Sequence, residues 1–161
     1  MADRKNIFIS HVHEDDDLLP KLKDLIGRAG MEVRDSSINS LKPNEATHPD
    51  YIKQTYLRPH IDWASTLVVL ITHDTAQSEW VNWEIKYAVE LGKNVIGVFA
   101  QGATDADIPE ELRKHGDAAV VGWQGERVVG AINGTITGWD DPATGGPRTT
   151  PDWVAQRYSC E

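Results

Sequence analysis

Residues 66–72, Thr-Leu-Val-Val-Leu-Ile-Thr, constrain the fold more than any other stretch. A strand with one wet face alternates apolar and polar residues, and this one does not alternate. A short run that is apolar throughout belongs in a sheet covered on both faces, where parallel strands lie. The next thirty residues of the chain fit that reading. Ser78 can cap a helix over residues 79–91, Gly92 can end it, and residues 94–99, Asn-Val-Ile-Gly-Val-Phe, form a second apolar run. Strand, amphipathic helix and strand in this order make a βαβ unit.

The rest of the chain repeats the alternation. Residues 6–10 read as a buried strand. Asp16 or Asp17 can cap a helix running to Ala29, with Leu18, Leu22, Leu25, Ile26 and Ala29 at helical spacing. Pro20 falls in its first turn, where a missing N–H costs little, and Gly30 stops it. Residues 31–34 form a second strand and 35–47 an exposed loop. Residues 50–62 read as a helix, with Tyr51, Ile52, Tyr56 (or Thr55) and Ile61 inward and Pro59 as a kink or break. Beyond residue 99 come a short helix at 109–115, a strand at 118–122 and a helix at 127–136. The expectation is an α/β fold of the flavodoxin-like type: a five-stranded parallel sheet, order 2-1-3-4-5, with helices on both faces. Ligands then bind beyond the C-terminal ends of strands one and three, where the order reverses. The segments Ser-His-Val-His-Glu-Asp-Asp-Asp and Thr-His-Asp-Thr-Ala-Gln-Ser would meet there. Residues 1–137 would form this domain. Residues 138–161 are a Gly/Pro-rich extension that Trp139 and Trp153 would partly dock.

Charge narrows the partners. With a net charge of -9 the chain repels phosphate backbones and anionic lipid, so neither nucleic acid nor a membrane surface is expected. The sole cysteine, Cys160, makes no internal disulfide and suits a reducing cytoplasm. No run approaches the roughly 20 apolar residues that span a bilayer. His11, His13, Asp15 and Asp16 come within one residue of a metal-binding H-x-H-x-D-H pattern. No later residues supply the remaining ligands, and helix capping accounts for the acids. The expectation is therefore no metal, with His11 facing the crevice and His13 in solvent.

One acid is misplaced. At about 100° per residue, Trp80, Val81, Trp83, Ile85, Tyr87, Ala88, Val89 and Leu91 form a broad apolar arc on the 79–91 helix. Glu79, Asn82, Lys86 and Glu90 fill the opposite face. Glu84 falls inside the arc, between Trp80, Ala88 and Leu91. A carboxylate there is costly unless it is paired or does chemistry, and burial would raise its pKa. The pattern alone leaves a structural and a catalytic role equally open.

The spacing Ser78-x-Trp80-x-x-x-Glu84, after an apolar strand and before another, resembles the core of TIR domains. Asn6 to Asp16 resembles the first strand and box-one loop of that family, and His48 to Thr72 its helix and third strand. The chain is most similar in style to prokaryotic TIR-like proteins, including those of Thoeris anti-phage defence. Where the family often has Cys after the Trp, this chain has Val81.

The resemblance implies an enzyme that cleaves the nicotinamide–ribose bond of NAD, with Glu84 catalytic and NAD as substrate rather than cofactor. Nicotinamide leaves as a neutral molecule and the ribose gains oxocarbenium character, as in glycoside hydrolysis. A carboxylate in a dry pocket stabilises that charge. Capture by water, by an adenine nitrogen or by another nucleophile gives ADP-ribose, a cyclic isomer or a conjugate. Ser10, Thr72 and His73 are candidates to hold Glu84 and the substrate, with His11, Asp35, Ser37 and Trp80 also within the expected binding set. The resemblance further implies self-association and a separate effector that responds to the product. A non-catalytic interaction module is the alternative. Another flavodoxin-like nucleotide enzyme, such as a deoxyribosyl transferase, is a third reading. The absence of a Gly-rich phosphate loop argues against P-loop and Rossmann nucleotide binding.

Overall fold

The computed structural model describes residues 3–12, 17–35, 58–115, 118–136, 138–140 and 147–148. Five parallel strands stand in the expected order: β2 (Met31–Asp35), β1 (Asp3–Ser10), β3 (Thr66–Ile71), β4 (Asn94–Phe99) and β5 (Ala119–Val121). The sheet does not stop there. β6 (Trp139–Asp140) pairs parallel with β5 and β7 (Pro147–Arg148) pairs antiparallel with β6, so among the described residues the sheet has seven strands rather than five. Strands this short carry no periodicity. What holds the first is the Trp139 side chain, buried in the core, and its pairing with Val120.

The sheet sorts its side chains by parity. Phe8, Leu67, Val69, Ile71, Val95, Phe99 and Val120 face α2 (Arg58–Trp63), α3 (Glu79–Glu90) and α4 (Glu110–Lys114). Ile7, Ile9, Val68, Leu70, Ile96, Val98 and Val121 face α1 (Leu18–Arg28) and α5 (Gly125–Asn133). All six residues of β3 are buried, as a central strand of a doubly covered sheet requires. On β4, a Cβ at Gly97 would lie 2.9 Å from both Ile71 Cδ1 and Leu112 Cδ2, so α4 packs onto the sheet where a side chain is missing.

Several local expectations are revised. Asp17 occupies the N-cap of α1 without making a side-chain cap bond, and Asp16 lies outside the described residues. Leu19, Leu22 and Ile26 are the buried residues of α1, while Leu18, Leu25 and Ala29 are half-covered. Of the expected 50–62 helix, residues 58–62 are described, within α2, with Pro59 in the first turn and Ile61 buried. Tyr51, Ile52, Thr55 and Tyr56 fall outside. α5 ends at Asn133 instead of residue 136, because Gly134 adopts φ 80 and closes the helix in the left-handed conformation. Leu91, placed in the apolar arc, is 44% exposed just past the end of α3.

Candidate functional site at the sheet switch point

β1 lies between β2 and β3, and the chain turns to opposite sides from these neighbours, so the strand order reverses here. Phe8 and Ser10 share the face of β1 that looks at α3. Ser10, the last residue of the strand, is fully buried. Its hydroxyl donates to Glu84 Oε1 at 3.0 Å, and Glu84 is 5% exposed. Two independent measures place this pair at one depth. Ser10 is in register with Val69, two residues before β3 ends, which is about 7 Å at the usual rise per strand residue. Glu84 lies five residues into α3, about 7.5 Å down a helix that starts at the same edge.

α3 is set at its start by Ser78, whose Oγ accepts from the Val81 N–H at 3.2 Å. Asn82 ties its first turns to both sides. The amide donates to Ser78 O at 2.9 Å, and Oδ1 accepts from the Glu111 N–H at 3.1 Å. The turn between β3 and α3 is held by Thr75, fully buried. Its hydroxyl donates to Leu70 O at 3.0 Å and accepts from the Thr72 N–H at 2.8 Å. The Thr72 and Thr75 hydroxyls lie 3.1 Å apart.

The remaining expected residues scatter more widely. Nδ1 of His11 lies 3.2 Å from the carbonyl of Ile9, so the ring folds back on its own strand. His73 comes directly after Thr72 at the same edge but is 71% exposed, and its Nδ1 meets Asp107 Oδ2 at 3.0 Å, a contact towards the turn after β4. Asp107 also accepts from the Thr104 N–H at 2.8 Å. Trp80 is half-buried and packs against the core beneath α3. Asp35 ends β2, and its side chain is not among those described. Ser37 lies outside the described residues, as do His13, Asp15 and Asp16. Among the described residues no group of three or more His, Cys, Asp and Glu is placed to hold a metal ion. The structure thus brings together Ser10 and Glu84, with Thr72 at the end of the neighbouring strand. It turns His73 towards Asp107.

Sequence reasoning missed Thr75 and Asp107. The second was legible: Thr104 and Asp107 stand at the T-x-x-D spacing of a capping box, formed here around the turn at Asp105–Asp107. Thr75 carried no signal beyond its place in a turn.

A doubly wound α/β domain with a buried, hydrogen-bonded carboxylate at its switch point defines the class: a flavodoxin-like fold of the TIR-like kind. The chain belongs to the family of the TIR-like domain of Thoeris protein ThsB, whose model matches residues 8–105. That match spans Ser10, Thr72, His73, Trp80 and Glu84. No curated protein matches the chain. Membership suggests a role in anti-phage defence and is compatible with NAD processing and with contacts between like domains. No helix among the described residues is long and apolar enough to cross a membrane.

Proposed function

We propose that this chain cleaves the nicotinamide–ribose bond of NAD and releases an ADP-ribose product as a signal in anti-phage defence. The observation that carries the reading is the Ser10–Glu84 pair, a buried carboxylate held at the switch point of a TIR-like domain. In the reaction the C1′–N bond breaks, and nicotinamide leaves with the bonding pair as a neutral molecule. The ribose carries the positive charge, and the Glu84 carboxylate stabilises it from a site that water does not screen. The Ser10 hydroxyl holds one carboxylate oxygen and so orients the group towards the crevice. The cation is then captured by water, by an adenine nitrogen of the same molecule or by another nucleophile. Thr72, the residue after β3, is proposed to meet the ribose or phosphates. His11, Asp35, Ser37, His73 and Trp80 complete the proposed binding set. Self-association of the domains and an effector that reads the product belong to the same proposal.

The test measures nicotinamide release by chromatography from purified protein, dilute and crowded, beside Glu84→Gln. Release by the wild type, reduced on the order of 100-fold or more in the variant, is the expected result. The nucleotide product identifies the nucleophile. Equal release by both proteins would remove Glu84 from the reaction. No release by folded wild type under either condition would favour the non-catalytic interaction module.

A further inference from the structure

A cleft of about 510 Å³ opens on the face of the sheet away from Glu84, between α1 and the turns after β4 and β5. Leu18, Leu25 and Trp123 line it. All three are half-covered and packed on the core that α1 shares with α5. Lys21, Asp24, Arg28 and Gln101 form its polar part. It lies at the C-terminal edge of parallel strands, where α/β folds bind ligands, and its volume is within the range of small-molecule sites.

Its unsatisfied chemistry has one sign. Asp24 is engaged by Arg28 Nε at 2.9 Å, so its charge is matched within the cleft. Among the described residues, the Lys21 ammonium, the Gln101 side-chain amide and the Trp123 indole N–H have no hydrogen-bond or ion-pair partner. A lone exposed lysine is ordinary. This one is the unmatched cation of a cleft that also holds a half-covered indole, on a chain of net charge -9. Lys21 and the Trp123 indole offer donors, the Gln101 amide offers a donor and an acceptor, and Leu18 and Leu25 supply apolar surface. A matching ligand carries a planar ring for Trp123 and an acceptor-rich anion for Lys21.

We propose that this cleft is a second ligand site, separate from Glu84, which binds a nucleoside monophosphate by stacking its base on Trp123 and pairing its phosphate with Lys21. Stacking on an aromatic side chain tolerates any base, so affinity rests on ring and phosphate together. Occupation would cover the apolar side chains that folding leaves half-wet and join α1 to the β5–α5 turn.

AMP is the probe, titrated calorimetrically into wild type, Trp123→Ala, Lys21→Glu and Glu84→Gln, with adenosine and inorganic phosphate as half-ligands. Hydrogen exchange locates the contact. The expected result is AMP binding that protects residues 18–28 and the β5–α5 turn and is unchanged in Glu84→Gln. Trp123→Ala should weaken it about tenfold or more, and Lys21→Glu should weaken it in a salt-dependent way. Adenosine or phosphate alone should bind more weakly than AMP. Lys21 is exposed on α1, so its variant keeps the test valid if the tryptophan variant unfolds. AMP binding that both variants retain, or that is lost in Glu84→Gln, would overturn the proposal. So would the absence of binding at millimolar AMP, or phosphate binding as tightly as AMP. Nicotinamide release is measured separately, so failure of this proposal and failure of the catalytic reading are told apart.

Discussion

A carboxylate kept from water is held by its partners, and Ser10 is one partner of Glu84. Removing the hydroxyl strips a hydrogen bond from a buried acid, which typically costs about 1–3 kcal/mol. Ser10→Ala should therefore lower the urea midpoint in the wild type. It should lower it less in a Glu84→Gln background, where the acceptor is neutral and the bond weaker. A double-mutant cycle with equal costs in both backgrounds would show that the two residues are not coupled. Tyr87 offers a test against pH. Burial, then the Asp62 carboxylate to which its hydroxyl donates at 2.7 Å, holds its phenol above the usual 10.0. A group raised in the folded state contributes its full stability below the unfolded value and loses it as pH rises through the folded one. The difference in urea midpoint between wild type and Tyr87→Phe should thus be constant at neutral pH and shrink above about pH 10. Glu84 could be read from one sequence because a helical wheel needs only local spacing. Its pairing with Ser10 could not, because that depends on the register of β1 against β3 and on how α3 crosses them.

At the scale of elements, the strongest signals came from segments that are both periodic and closed by good end residues. β3, α3 and β4 lie within one residue of their expected bounds, and Ser78 caps α3 as its position suggested. Ser78→Ala removes a donor's partner at the helix start and should cost about 1 kcal/mol in chemical denaturation. An unchanged midpoint would mean that the Asn82 amide, which holds the same turn, suffices alone. Periodicity misled where end signals conflicted with it. Ile136 continues the apolar pattern of α5, but a left-handed glycine at Gly134 overrides that pattern. Asp17 looks like a cap by residue type, yet its backbone takes helical angles that do not aim its carboxylate at the free N–H groups.

Over the whole molecule, the added strands are tied in by charge as well as by pairing. Asp140 in β6 is fully buried. Its carboxylate accepts from the Gly122 N–H at 3.0 Å and from both Nε and a terminal nitrogen of Arg127 on α5. That hydrogen bonding pushes the Arg127 guanidinium further above its already high value, so it is charged at any working pH. Arg127→Ala would leave a buried acid without its cation and should cost about 3–5 kcal/mol, measured as loss of thermal or urea stability. Arg127→Lys should restore only part of this, since an ammonium cannot reproduce the two-pronged contact. A neutral outcome would mean that β6 opens without harm to the rest of the sheet. Neither the two strands nor this ion pair was legible beforehand, because two-residue strands show no period and the pair bridges 13 residues of Gly-interrupted sequence.

The parity of β1 also governs how long the strand can be. Ser10 reaches Glu84 because it stands an even number of residues from Phe8, while Ile7 and Ile9 point to the opposite core. Loss or gain of a single residue within this strand would present an isoleucine to the carboxylate and a hydroxyl to the α1 side, and would swap what β1 contributes to the two cores. Relatives that keep the carboxylate should therefore vary in residue type along β1 far more freely than in the number of residues it contains.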